Sequence, residues 1–287
     1  MRGWWIPAAL LAAAACSSDN GSGSGPGTTP DTPATLSSIS LDGSVALMWS
    51  DNAYLSDPSN FQNYRIYSTT YNIDATTPVC GTSFRLEGTT VAPEFVVGAL
   101  ANGVPRCYAV TAVSVDGFES DRSPLRGDTP RPDARNVALF ARQTQTAGSG
   151  FRFWDDLNND GTVQGGELGL VRDGSSAAID FAVDRDGTGD LFLTPVRAGT
   201  GVEYYDDTAP VEDLTSIDFA PNQNYRTTPI RAVPGFGFVF EMRGEADGIP
   251  RYGAVRVTHV GQTFLILDWA YQTDPGNPEL VVSGKKK

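Results

Sequence analysis

The run Asp156-Leu-Asn-Asn-Asp-Gly-Thr-Val-Gln-Gly-Gly-Glu167 carries the sharpest chemical pattern in the chain. Counted from Asp156, oxygen-bearing side chains fall at positions one, three and five, as Asp156, Asn158 and Asp160. Gly161 stands at six, where a sharp turn is required, and Thr162 at seven offers a backbone carbonyl. Val163 at eight is an inward aliphatic. Gln164 at nine can act through a water, and Glu167 at twelve can bind with both oxygens. Calcium takes six to eight hard oxygens around one point, which contiguous residues deliver only from a tightly folded loop. The pattern makes calcium the candidate cofactor.

This stretch resembles the calcium loop of EF-hands. In that family helices flank the loop, whereas Phe151-Arg-Phe-Trp154 reads as a strand and Gly165-Gly166 interrupts any exiting helix. An Asn-Asp-Gly hairpin turn with acidic neighbours is therefore the alternative. The related run Asp184-Arg-Asp-Gly-Thr-Gly-Asp190 has too few spaced ligands and reads as a hairpin turn.

Other chemistry is sparse. His259 is the single histidine, and no Gly-x-Ser-x-Gly elbow, His-Glu-x-x-His or Cys-x-x-Cys occurs. Nucleophilic hydrolysis, zinc proteolysis and thiol redox work thus have no recognisable machinery. Paired carboxylates, as in glycosidases, are available in any acidic chain, so a carbohydrate-active hydrolase or its accessory stands as a rival reading. The formal charge of −13 opposes phosphate backbones, and nucleic-acid binding is excluded on that ground.

The elements that would position these residues begin with an export signal. Arg2 precedes the apolar run Trp4 to Ala15, which is too short to cross a bilayer and suits a signal-peptide core. Leu11-Ala-Ala-Ala-Ala-Cys16 resembles the lipobox of bacterial lipoproteins, with Ala13 where leucine is usual. The resemblance implies acylation of Cys16 at residues 1–16, an anchor in the membrane, and display at the outer membrane or cell surface. Residues 17–34 hold only Gly, Ser, Thr, Pro, Asp, Asn and Ala, so they cannot bury enough surface to offset chain entropy and read as a disordered leash.

From 35 to 128 short alternating stretches are broken by turn residues, the pattern of a sandwich. Strands are expected at Val45-Ala-Leu-Met-Trp49, Phe61 to Tyr67, Phe95-Val-Val and Cys107 to Val113. The domain resembles a fibronectin type III domain. Trp49 ends the second strand, Tyr64-Arg-Ile66 marks the third, Leu100 precedes the sixth, and Gly117-Phe-Glu-Ser-Asp-Arg-Ser123 closes the pattern. One departure is that Arg106 falls where the family's corner tyrosine belongs. Cys80 and Cys107, in an exported chain, are expected to form a disulfide. Residues 129–134 read as a linker. Arg126-Gly127-Asp128 before it is a tripeptide known from integrin-binding fibronectin modules, but three residues specify little.

Residues 135–284 form a second β-rich domain, with strands expected at 137–140, 150–154, 178–183, 190–193, 236–240, 254–257 and 263–271. Tyr204 to Arg231 reads as polar loops with a few short strands or turns. The end of the domain faintly resembles HmuY-like haem-binding lipoproteins, through FVFEM, Tyr252-Gly-Ala-Val-Arg-Val257 and Trp269-Ala-Tyr-Gln272. A bis-histidine haem site is excluded by the single His259, a partnership with Met242 has no support, and no haem is expected. Lys285, Lys286 and Lys287 form a basic tail. The expected fold is all-β, with signal, leash, fibronectin type III sandwich and a second β-rich domain. The expected function is non-catalytic binding or adhesion from the envelope, toward a protein or glycan partner. Its alternatives are a calcium-stabilised structural protein and the carbohydrate-active enzyme.

Overall fold

A computed structural model describes residues 28–72, 79–161 and 163–280. Cys16, the signal, the first part of the leash, Thr162 and the basic tail lie outside the described residues.

In the N-terminal half, β1 (Leu36–Leu41) and β2 (Ser44–Trp49) form a hairpin about Asp42-Gly43, where Gly43 takes φ of +58°. A five-residue helix, α1 (Asn52–Ser56), leads to β3 (Phe61–Asn72). β4 (Val79–Cys80), β5 (Arg85–Thr90), β6 (Glu94–Val97), β7 (Arg106–Ser114) and β8 (Arg126–Asp128) follow. β6 joins β2, giving a three-stranded sheet β1-β2-β6. The facing sheet runs β4-β3-β7-β8, with β5 also paired to β3. Alternation decides what faces inward: Val45, Leu47 and Trp49 are buried while Met48 is exposed. They meet Tyr64, Ile66, Leu100, Tyr108, Val110 and Ala112 in one core.

The closing motif has a structural purpose. The Ser120 and Ser123 hydroxyls accept from the Ala112 and Val110 N–H groups at 2.9 and 3.0 Å. Their own backbone N–H groups return bonds to the Ala112 and Val110 carbonyls. An edge of β7 is thereby satisfied without a full strand. Glu119 beside them accepts from Arg65, Tyr67 and Thr111 across the outer face. Arg106, at the corner position, reaches Ser68 Oγ at 3.4 Å and Glu87 at 4.0 Å.

The C-terminal half is a second sandwich. Its strands are β9 (Asp133–Phe140), β10 (Gly150–Trp154), β11 (Leu168–Arg172), β12 (Phe181–Arg185) and β13 (Leu191–Pro195). Then come β14 (Thr200–Tyr204), β15 (Ile230–Arg231), β16 (Gly237–Met242), β17 (Arg251–Val260) and β18 (Phe264–Tyr271). One five-stranded sheet is ordered β11-β10-β12-β13-β15 and the other β14-β16-β17-β18-β9. Phe151, Phe153, Phe181, Phe240, Trp269 and Tyr271 fill the space between them, with Phe181 stacked on Phe240 at 4.6 Å. β11 and β14 were not expected from the sequence. The strand expected at 178–183 starts later, at Phe181, and Asp180 just before it is buried in an ion pair with Arg152.

The polar stretch after Tyr204 builds a second core. Val211, Leu214, Ile217 and Ala220 cover Val239, Ala254 and Ala270 on the outer face of the second sheet, joined by Leu280. β16 is therefore apolar on both faces, which explains its unbroken GFVF run.

The expected linker 129–134 is no exposed tether. Thr129, Pro130, Arg131 and Pro132 are buried, and β9 already begins at Asp133. The Gly103 N–H donates to the Pro130 carbonyl at 2.8 Å and the Arg131 N–H to the Leu41 carbonyl at 3.1 Å. From the other side, the Tyr271 N–H donates to the Pro132 carbonyl at 3.1 Å. The end of the leash is likewise docked, since Asn52 and Asn60 donate to the Thr32 and Thr28 carbonyls, both at 2.9 Å.

Candidate functional site

The acidic run is the connection between β10 and β11. Both flanks are strands, so the EF-hand's helices are absent here, and the exit is a single 3-10 turn at Gly165–Glu167. Asn159 and Gly161 take φ of +57° and +71°. A Cβ at Gly161 would meet nothing, so glycine serves the backbone angle and not a close contact.

The loop folds around its own carboxylates. Asp156 accepts from the Asp160 N–H at 3.0 Å and the Gly161 N–H at 2.9 Å. Asn158 Oδ1 also accepts from the Asp160 N–H at 3.0 Å. Asp160 Oδ2 accepts from Asn158 at 3.0 Å and Gln164 at 2.8 Å. Asp156, Asn158, Asp160 and Gln164 are thus brought together, while Thr162 lies outside the described residues.

Glu167 sits apart, beneath the loop, only 4 % exposed. Its carboxylate accepts from Trp154 Nε1 at 3.3 Å, the Leu157 N–H at 3.1 Å and the Gln164 N–H at 3.2 Å. Bidentate metal binding would compete with those three donors. Among the described residues no three His, Cys, Asp or Glu side chains are grouped to hold a metal ion.

The loop borders the junction of the two sandwiches. A cleft of about 480 Å³ opens there, lined by Asp42 and Asn102 from the first domain and Asp133, Val163, Leu168 and Trp269 from the second. A neighbouring cleft of about 310 Å³ shares Asn102 and Val163 and reaches Trp154, Arg251 and Asp274. Arg251 lies over the Trp154 ring at 5.5 Å. Gly169 is essential to this corner, because a Cβ there would overlap the Trp269 indole.

The junction also buries ionic groups. Arg131 is 0 % exposed, donates through Nε to the Leu280 carbonyl, and lies 3.6 Å from Asp133. Burial lowers its guanidinium to about 10. Burial also raises Asp128, which accepts from Ser40, and pushes Glu279 up to about 7 with help from the Asp128 charge. Asn277 donates to Thr129 at 3.3 Å, so the chain from 277 to 280 clasps the linker. Inside the second sandwich, burial raises Asp180 to about 6, while Arg152 at 3.0 Å, the Phe153 N–H at 2.8 Å and Arg197 oppose the shift. These groups escape a sequence reading. The visible signals are only an arginine between two prolines and an aspartate inside the apolar run Ala178 to Val183.

The remaining sites resolve simply. Cys80 and Cys107 form a disulfide, with Cα atoms 5.7 Å apart. β3 holds both ends, since Tyr71 pairs with Cys80 and Thr69 with Cys107. Asp128 of the Arg-Gly-Asp tripeptide is wholly buried, so the tripeptide is not presented to a partner. His259 is exposed beside a β-bulge, its ring 5.6 Å from Phe264. Met242 is in the core and pairs with Arg251, eight residues along β17 and roughly 27 Å from His259 at strand rise. The two cannot share an iron.

No family model and no curated protein matches the chain. Among solved structures, an Fn3-like protein from Clostridium thermocellum is 20% identical, covering 35% of this chain and 92% of its own, with a TM-score of 0.27. The third fibronectin III domain of the human KIAA0343 protein is 18% identical, over 40% and 93%, with a TM-score of 0.30. A DUF4466 family protein from Parabacteroides merdae is 10% identical over 85% and 95%, with a TM-score of 0.36. Likenesses this distant carry no argument; the strand order and core of residues 36–128 do. That half has the strand order of a fibronectin type III-like sandwich. Fold alone names neither a role nor a ligand.

Proposed function

We propose that the chain is an exported lipoprotein, acylated on Cys16 and held at the cell envelope, whose two sandwiches act as one non-catalytic binding unit. The supporting observation is the junction. Residues 129–132 are buried between the domains and clasped by 277–280, and a cleft with both polar and apolar walls opens beside them. Domain interfaces are where ligand sites form most readily, and a pre-organised junction lowers the entropy cost of binding. Asp180, which burial raises to about 6, is held by Arg152 at 3.0 Å and the Phe153 N–H at 2.8 Å, which supports a structural part for it over a catalytic one.

The anchor is tested by feeding an alkyne fatty acid to bacteria expressing the full chain. Label should sit on the wild type, vanish in Cys16→Ser, and that variant should leave the membrane fraction. Persisting label would overturn the anchor. Binding is tested on glycan and peptide arrays; turnover of a bound glycan would replace the binding reading with the enzymatic one.

A second reading, calcium stabilisation, is favoured by one observation. Asp156 and Asn158 turn their oxygens onto the Asp160 and Gly161 N–H groups while Asp160 accepts from the Asn158 and Gln164 amides, so the oxygens of the loop converge. Calorimetric titration with calcium should then give a one-to-one heat that Asp156→Ala and Glu167→Ala abolish. No heat up to millimolar calcium leaves an acidic hairpin.

A further inference from the structure

We propose that the interdomain cleft lined by Asp42 and Asp133 takes a cationic group on an aliphatic stem, an ammonium or guanidinium such as ends a lysine or arginine side chain. The inference rests on the binding-module reading and names the chemistry its junction would recognise.

The cleft has two unlike walls. Val163, Leu168, Pro132 and the Trp269 edge give an apolar face, while Asp42 and Asp133 put two carboxylates at the rim. None of the residues lining it is basic. Asn102 fixes the rim, donating to Asp42 Oδ1 at 2.7 Å and accepting from the Gly43 N–H at 2.9 Å. Asp42 is exposed and Asp133 half-buried, so the rim is open to a ligand while one carboxylate is partly shielded from water. Burial raises the Asp133 carboxyl, Arg131 and Arg135 lower it, and Asp42 and Asp213 raise it again. Arg131, wholly buried, already pairs with Asp133 at 3.6 Å, while Arg135 is engaged by Asp213 at 3.0 Å and Asp268 at 3.4 Å, so among the described residues Asp42 is the carboxylate of the rim without a cation beside it.

A volume of about 480 Å³ suits a side chain and its backbone, and not a whole helix or strand. An anionic ligand would meet two like charges, and a purely apolar one would cover the Asp42 carboxylate without giving it a cation. A methylene stem along Leu168 and Trp269 with its cation at Asp42 and Asp133 satisfies both walls, as long basic side chains do elsewhere. The chain's excess of acidic residues would also draw such a partner in.

The test is titration of the whole chain, by calorimetry or NMR shifts, with Nα-acetyl-arginine methylamide, its lysine and norleucine counterparts, and 1,5-diaminopentane. The cationic probes should bind saturably, and the norleucine probe roughly tenfold more weakly. Asp42→Asn should weaken the cationic probes about fivefold with an unchanged melting temperature, since its side chain is exposed. Asp133→Asn also removes the Arg131 partner, so Asp42→Asn and the cleft-filling Ala101→Trp carry the decision. Equal binding of norleucine, indifference to Asp42→Asn, or no saturable binding overturns the proposal. Tighter binding of the diamine than of the amino-acid probes assigns the cleft to free polyamines; the reverse assigns it to a basic side chain of a partner. An array ligand indifferent to Asp42→Asn removes the cleft assignment and leaves the binding reading standing.

Discussion

Two places in this molecule gather carboxylates, and they differ in what surrounds them. The loop from Asp156 to Gln164 keeps most of its acids in water, folded onto its own backbone N–H groups. The junction takes Asp128, Glu279 and Arg131 out of water, where geometry and partners decide the energy. The exposed set announces itself in the sequence by spacing. The buried set leaves almost no trace there, yet it lies where the two sandwiches meet.

That contrast is broken most directly at Arg131. Arg131→Ala takes a cation from the buried Asp128 and the half-buried Asp133, and should lower stability by about 3–5 kcal/mol in urea unfolding. Asp156→Ala, which removes a charge from water, should cost far less. A small effect at Arg131 would mean that the linker is held by its backbone bonds to Leu41, Gly103 and Tyr271 alone.

Next in size is the Cys80–Cys107 disulfide, which lies in the fibronectin-type half only. It closes 27 residues, and reduction or Cys80→Ser should cost roughly 3 kcal/mol in the chain-entropy model. If the junction couples the halves, both should unfold in one transition at a lower urea midpoint. Two separate transitions would show that the clasp is weaker than either core.

The acid side of the comparison is sharpened by pH. Glu279 is raised from an ordinary 4.5 to about 7, so its protonated form is the one the fold favours. The stability it contributes is complete below about pH 4.5 and is lost as pH rises through about 7. Asp180 behaves alike, between 3.8 and about 6. Glu279→Gln keeps a neutral side chain at the clasp, and should flatten the stability profile over that window. A profile unchanged in Glu279→Gln would place the pH dependence on Asp180.

What the sequence made legible follows the same division. Period-two alternation marked β2, β3 and β7, and the serines of Gly117 to Ser123 could be placed because their motif is local. Trp154 and Phe151 read as a strand entering the acidic loop, which is what β10 is. β11 was hidden because Glu167 was read as a ligand, when it also anchors the turn into that strand through Trp154 and Leu157. β14 and the second core were hidden for another reason. Val211, Leu214 and Ile217 are spaced by polar residues and bury against a sheet distant in sequence, so no local period reports them. Arg131 looked like linker because proline on either side marks irregular backbone, and irregular backbone is usually at the surface. Here the Arg131 N–H and the Pro130 and Pro132 carbonyls find partners in both domains, which allows the segment to be buried.

The smallest effect, and the one that separates the loop's two readings, is Asp156→Ala in a calcium chelator. Its carboxylate accepts two backbone N–H bonds on an exposed loop, so the loss should stay under about 1 kcal/mol. With calcium at ten times its dissociation constant, a genuine site adds about 1.4 kcal/mol to the wild type and nothing to the variant. The melting difference between the two proteins should therefore widen when calcium is added. A difference that stays constant returns the loop to a hairpin whose acids serve only its own turn. In that case Glu167→Gln should still destabilise the domain, because Trp154, Leu157 and Gln164 all donate to that carboxylate whether or not an ion is bound.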